Sequence, residues 1–245
     1  LNYNYIIIMS FINKVLFLYQ SEAKLIIYFI FIKTKIINIF VKNIIKSEKN
    51  IYKKFLYQKK ITHDYFSSNA YNFLEIGNKY KNFNYLEIGS FEGNSAMFMS
   101  KNFNNSQIHC VDNWVGTEEY ENLEFSLLEK NFDFNTREFN NLKKFKMYSD
   151  DYFALNKIYY DIIYIDGYHK GSQVLKDFKN SWKYLKSNGI IIFDDYIWKF
   201  FKEIKDNPCY VINRFLNEII KDVKIIKVSN SQLFIQKKKS NFYFI

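Results

Sequence analysis

The chain has 245 residues, 48% of them apolar, and a formal net charge of +10; that is enough to bury one sizeable core, and it excludes a disordered polar polymer. Lysine outnumbers arginine 33 to 2, and Ile, Asn, Phe and Tyr are over-used, the mark of an AT-rich coding sequence, so the basic pI says little about partners. Residues 1–60 hold eleven lysines against Glu22 and Glu48, a net of +9, while the remaining 185 carry 24 basic and 23 acidic groups, which argues against nucleic acid as substrate because its enzymes place basic surface where the chemistry is.

Cys110 and Cys209 are too few and too far apart for a disulfide framework or a zinc site, and no small-residue cleavage signature follows the first apolar stretch. The expectation is an intracellular, cytoplasmic protein. Its first residue, Leu1, reads either as an alternative start codon translated literally or as lying ahead of a true start at Met9.

Leu25–Val41 has the length of a membrane span, but Lys33 and Lys35 fall near its centre. Twelve strongly apolar residues at roughly −0.5 kcal/mol each are offset by two central lysines at about +3 each, a sum near zero. Residues 1–60 are therefore expected to form a basic, apolar helical extension. It either packs on the body of the protein or lies peripherally on the anionic inner face of a membrane. Residues 61–245 are expected to be the catalytic domain.

From Asn84 short apolar runs alternate with helix-like stretches, the rhythm of a parallel sheet covered on both faces. Strands are expected at Tyr85–Ile88, Gln107–Val111, Lys144–Tyr148, Ile162–Ile165 and Ile190–Phe193, each short and mainly apolar as strands buried on both faces are. Helices are expected at Asn94–Lys101, Glu118–Asn131, Tyr152–Leu155 and Ser172–Leu185. A further helix at Val211–Ile220 leads to Val223–Val228 and Gln232–Gln236, which read as a closing hairpin. Gly89, Gly93, Gly167 and Gly189 fall at strand ends or in the turns beside them, where a positive φ or a close approach to ligand is expected.

Ligands of open parallel sheets bind outside the carboxyl ends of the strands, and here those ends are acidic. The first loop, Glu87-Ile-Gly-Ser-Phe-Glu-Gly-Asn-Ser95, is a strand-to-helix turn with two glycines four apart. A pyrophosphate-binding loop wants G-x-G-x-x-G, but Phe91 replaces the middle glycine. Glu87 and Glu92 would repel a diphosphate while suiting an ammonium group. Asp112 ends the second strand, placed to accept both hydrogen bonds of a ribose diol or to cap a helix. Trp114 is expected either against adenine or as an exposed indole closing a loop. Ser149 and Asp150 either reach the adenine edge or cap a helix beginning at Tyr152. The run Asp161-Ile-Ile-Tyr-Ile-Asp-Gly-Tyr-His169 sets a carboxylate, Asp166, at the end of a buried strand with an imidazole three residues on. Asp194 and Asp195 close the next strand. Three converging carboxylates would repel unless a hard cation such as Mg²⁺ sat among them, or unless they served as caps or cofactor contacts without metal. Such a cation would acidify an acceptor hydroxyl, and His169 could take its proton. His63 and His109 lack comparable context and read as structural.

In these residues the chain resembles the class I S-adenosylmethionine-dependent methyltransferases, and in particular a bacterial subfamily with motifs like Tyr-Leu-Glu-Ile-Gly-Ser-Phe-Glu-Gly, Tyr-Ile-Asp-Gly-Tyr-His and Ile-Phe-Asp-Asp-Tyr. The match runs from about Thr62 to about residue 237. The resemblance implies a Rossmann-like α/β fold, with a seven-stranded, mostly parallel sheet, helices on both faces and a reversed last hairpin. It also implies cofactor contacts at Glu87, Gly89 and Asp112, to which the loop reading adds Ser90, Gly93, Trp114, Ser149 and Asp150. More distantly the chain looks like the metal-dependent sugar O-methyltransferases of macrolide pathways. That likeness implies a magnesium and base site on Asp166, His169, Asp194 and Asp195, and a small hydroxylated acceptor. Two other readings compete: a nicotinamide-dependent oxidoreductase on a similar sheet, disfavoured by Phe91 and the acidic loop, and a non-catalytic, membrane-associated binding protein, motivated by residues 1–60.

Overall fold

The structure is a computed structural model that describes residues 3–118 and 124–239. The seven strands are β1 (Asn84–Ile88), β2 (Gln107–Asp112), β3 (Leu142–Lys146), β4 (Tyr160–Ile165), β5 (Leu185–Phe193), β6 (Val223–Ser229) and β7 (Gln232–Lys237). They form one sheet in the order β3-β2-β1-β4-β5-β7-β6. The first five are parallel, and β7 runs antiparallel to both β5 and β6. The expected closing hairpin is therefore present, and its turn is only Asn230-Ser231, because Ser229 pairs with Gln232.

Successive strand residues point to opposite faces, and each face of this sheet has its own apolar cluster. Leu86, Ile163, Ile191 and Leu233 belong to one; Tyr85, Ile162, Ile192 and Phe234 belong to the other. Helices α1 (Tyr3–Gln20), α2 (Leu25–Phe40), α7 (Ser149–Leu155), α8 (Gly171–Tyr184) and α9 (Pro208–Ile219) contribute buried side chains to the first cluster. Helices α3 (Lys42–Leu56), α4 (Ala70–Gly77), α5 (Asn94–Asn102) and α6 (Phe125–Thr136) supply the second. The result is a three-layer α/β/α sandwich.

The amino-terminal helices are built into these layers. Phe17, Leu18, Ile27 and Phe31 join the same cluster as the β6–β7 hairpin, whereas Tyr52 and Leu56 of α3 join the opposite one. The extension thus passes around the β6 edge, where Asn38 Nδ2 donates to Ser229 Oγ (3.3 Å). Buried Asn213 of α9 donates to the Ser21 carbonyl between α1 and α2 (2.8 Å) and accepts from Tyr196 Oη (2.7 Å). Covering an edge strand removes the unpaired row of donors and acceptors that it would otherwise present. Among the described residues, no helix is long and apolar enough to cross a membrane.

Several boundaries differ from the sequence reading, among them β4, which starts at Tyr160 and not Ile162, and α9, which starts at Pro208 and not Val211. β3 lies two residues earlier than Lys144–Tyr148, and α7 begins at Ser149 rather than Tyr152. Ser149 and Asp150 are thus the first residues of a helix and not caps of a later one. β5 begins at Leu185, where the α8 pattern was expected to end, and Leu185 pairs with Tyr160. α6 begins at Phe125; residues 119–123 of the expected Glu118–Asn131 helix lie outside the described residues.

Candidate active site

Register places the chemistry at one level. Ile88 pairs with Val111 on one side and Ile165 on the other, and Ile165 pairs with Phe193. Consequently Gly89, Asp112, Asp166 and Asp194 leave the sheet side by side at the carboxyl edges of four parallel strands. There they open onto a cleft of about 1060 Å³, at the upper end of the range for small-ligand sites. Its described lining holds seven aspartates and one glutamate, and no lysine or arginine. In a chain with 33 lysines, that segregation is a strong electrostatic statement. The cleft attracts cations and repels phosphates.

The loop after β1 is tied down by Asp112. Its Oδ2 accepts from the backbone N–H of both Ser90 and Phe91 (2.9 Å each), and its Oδ1 accepts from Trp114 N–H (2.8 Å). Burial raises the Asp112 pKa, and these N–H groups hold it back. Phe91, where a pyrophosphate-binding loop would have its middle glycine, nevertheless takes a left-handed φ of +47°, and Trp114 takes +52°. Strained backbone of this kind clusters where surrounding contacts over-determine it; here Trp114 Nε1 donates to the Phe91 carbonyl (2.8 Å). Trp114 is buried, so it is not the exposed loop-closing indole that was one of its two readings, though the residue is part of the cleft lining. Gly89 is obligatory: its φ is +85°, and a Cβ there would stand 2.0 Å from the Asp166 carbonyl oxygen.

The two glutamates of the loop do not face the cleft. Glu92 is buried, accepting from Thr62 N–H (2.7 Å) and Asn131 Nδ2 (2.8 Å). Glu87 is fully buried and accepts from Tyr85 Oη (2.8 Å). Burial pushes its carboxyl up to about 7, with Ser95, Tyr85 and Ser90 hydroxyls opposing the rise. The acidity expected of this loop towards a ligand is supplied instead by the strand-end aspartates. Gly93 also lies off the cleft and serves as the left-handed residue before α5, φ +81°.

At the far side, Tyr164 Oη sits between two carboxylates, 2.8 Å from Asp166 Oδ2 and 2.9 Å from Asp194 Oδ2. One phenolic hydrogen can serve only one of them at a time. Burial and the adjacent Asp194 charge raise the Asp166 pKa well above the usual carboxylate range. Asp195 takes a left-handed φ of +47°. His169 Nε2 lies 3.6 Å from Asp166 Oδ1 and 3.5 Å from Asp195 Oδ2, and its ring packs edge-on against Trp198. The histidine is buried and does not line the cleft, so it addresses the carboxylates from behind. Among the described residues, no three His, Cys, Asp or Glu side chains stand at metal-holding spacing. The oxygens are of the kind that a hard cation takes, but they are engaged with Tyr164 and His169.

The structure thus brings Gly89, Ser90, Asp112, Trp114, Ser149, Asp150, Asp166, Asp194 and Asp195 to one cleft, with Glu87, Gly93 and His169 in the layer behind it. Sequence reasoning missed Tyr164 and Asp177. Tyr164 was detectable, since a strand residue two before Asp166 shares its face. Asp177 is buried on α8 beside Ser149 and Gln173, with its carboxyl raised by burial to about 7; nothing in the helical pattern marks it. Of the other histidines, His109 is buried against Tyr160 Oη (2.9 Å), while His63 stacks on Tyr65 at the cleft rim.

Residues 86–196 match the family model described as a methyltransferase domain. A protein of Acanthamoeba polyphaga mimivirus designated R132 is 32% identical over 156 residues, covering 59% of this chain and 62% of its own length. This chain therefore spans less than two thirds of that relative. The fold is similar to that of a putative caffeoyl-CoA O-methyltransferase from Staphylococcus aureus (TM-score 0.53, 16% identity, 84% of this chain and 99% of that one). It is similar also to an O-methyltransferase from Bacillus cereus solved with SAH (0.51, 12% identity, 82% and 95%). The MycE methyltransferase of the mycinamycin pathway, solved with Mg and SAH, shares it too (0.56, 12% identity, 81% and 56%). At these identities the likeness is one of fold.

Proposed function

We propose that this chain is a class I S-adenosylmethionine-dependent methyltransferase of the O-methyltransferase type and that it transfers a methyl group to a hydroxyl of a small, uncharged acceptor such as a sugar. The observation that carries the reading is the cleft lining: seven aspartates and one glutamate without a lysine or arginine. That donor set suits a ligand bearing a sulfonium and an ammonium. It repels the pyrophosphate of a nicotinamide cofactor, and equally a nucleic acid or a phosphorylated acceptor.

S-adenosylmethionine supplies an electrophilic methyl group, which leaves its sulfur as the acceptor oxygen bonds to it. The protein's part is to orient and to manage one proton. Asp112, held by three backbone N–H groups, presents a fixed carboxylate edge to the ribose end, and Ser149 and Asp150 at the start of α7 stand at the adenine end. The acceptor hydroxyl gives its proton to the carboxylate pair bridged by Tyr164, with His169 stabilising the charge from behind. Fixing two reactants in line supplies much of the acceleration.

Calorimetric titration of the full chain with S-adenosylmethionine, with and without Mg²⁺ and with NAD as control, tests this. Micromolar binding that is lost in Asp112→Ala is the expected result. Preference for NAD, or no binding, would refute it. An Mg²⁺ requirement that appears only with acceptor present, and disappears in Asp194→Asn, would assign the cation to Asp166, Asp194 and Asp195.

A further inference from the structure

The outward face of α2 is apolar in a pattern that the fold does not use. At about 100° per residue, Leu25, Phe29, Ile32, Ile36 and Phe40 fall on one narrow stripe, and all five are exposed, Leu25 by 86% and Phe40 by 83%. The opposite side, with Ile27, Phe31 and Thr34, is buried against the body of the protein. Lys33 and Lys35, which spoil the segment as a membrane span, are both exposed and fall on the two flanks of the stripe. Helix α1 separately exposes Ile12, Leu16 and Tyr19, and α3 begins with exposed Lys42 and Lys46 two and six residues beyond the end of α2. Exposed apolar patches of this extent mark interaction surfaces.

We propose that this face docks on a lipid bilayer containing anionic headgroups, with α2 lying in the plane of the interface. The charge selects the occupant. Exposed Lys33 and Lys35 on α2, with exposed Lys42 and Lys46 just beyond it at the start of α3, complement an anionic surface. An apolar stripe with a lysine on each flank is the arrangement in which the stripe enters the acyl boundary while the ammonium groups reach back to headgroups. A second copy of the chain would bring these ammonium groups against one another. Nucleic acid has no use for an apolar centre. The proposal goes beyond the methyltransferase reading and does not depend on it.

The test is co-sedimentation of the full chain with phosphatidylcholine vesicles that either contain or lack phosphatidylglycerol. Binding is expected to the anionic vesicles and to weaken in high salt. Lys33→Ala/Lys35→Ala is expected to lower partitioning about 25-fold, about fivefold per lysine. Phe29→Asn/Ile36→Asn is expected to abolish binding, with unchanged thermal melting showing that these exposed positions do not carry the fold. Absence of binding to anionic vesicles, or binding indifferent to both double variants, would overturn the proposal. So would a dimer in sedimentation velocity that Phe29→Asn/Ile36→Asn dissociates, which would assign the stripe to a second copy.

Discussion

Glu87→Gln is expected to stabilise the protein, by an amount that grows as pH rises from about 4.5 to about 7 and is level above that. The carboxyl is fully buried, and its pKa rises from the ordinary 4.5 to about 7 because burial disfavours the charged form. Between those two values the folded state holds a proton that the unfolded state has released, so stability falls as pH rises through that window and is level above it. The distance between 4.5 and about 7, at about 1.4 kcal/mol per pH unit, is roughly 3 kcal/mol. Glutamine keeps an acceptor for Tyr85 Oη and carries no charge, so it removes that loss. Urea denaturation of both proteins should give equal stabilities near pH 4.5 and a difference growing to about 3 kcal/mol by pH 8. A difference constant across this range would refute the reasoning, because Glu87 would then titrate alike in both states. A difference of opposite sign would mean that the folded protein favours the charge.

Gly89→Ala should cost at least about 3 kcal/mol, from the left-handed φ and the overlap with the Asp166 carbonyl together, read as a lowered melting temperature. Asn213→Ala leaves the Ser21 carbonyl and the Tyr196 hydroxyl buried without their partner, an expected loss of about 2–4 kcal/mol, and hydrogen exchange should quicken at the α1–α2 junction before it does in the central strands. His169→Ala should keep S-adenosylmethionine affinity and lose kcat, with a changed pH–rate profile; undiminished turnover would remove His169 from the mechanism.

The order and type of nearly every element could be read from the chain, because strands buried on both faces leave unbroken apolar runs such as Ile162–Ile165 and Ile190–Phe193. The signal fails where burial does. β3 is an edge strand with exposed lysines at 143 and 146, so the apolar Phe145 and Met147 drew the reading two residues too far. The polar start of β5, Lys186 to Asn188, looks helical because it is exposed or half-buried. The strand-end aspartates were legible from topology alone. Which carboxylates face the cleft was not: Glu87, in β1, and Glu92, in the loop after it, flank Ser90 closely in sequence, and packing turns both inward. The packing of α1 and α2 on the β6 edge likewise depends on contacts between residues roughly two hundred positions apart, such as Asn38 with Ser229, which no local pattern encodes.

The two-residue turn of the hairpin has a bearing on how acceptor preference can evolve. Asn230 and Ser231 line the cleft, and Asn230 is fastened by Nδ2 to the Asn69 side chain (2.7 Å) and the Ser68 carbonyl (3.2 Å). That wall has no slack, and an inserted residue would shift the pairing of Ser229 with Gln232 and turn the strand's side chains to the wrong face. Of the connection between β2 and α6, Asn113, Trp114 and Gly116 to Glu118 border the same cleft, and the connection is longer in sequence than the hairpin turn, so insertions there are expected to be tolerated. New acceptors are therefore expected to be won by remodelling that connection against a fixed hairpin. Libraries that randomise 115–124 should yield altered preference with intact folding far more often than libraries that randomise 229–232.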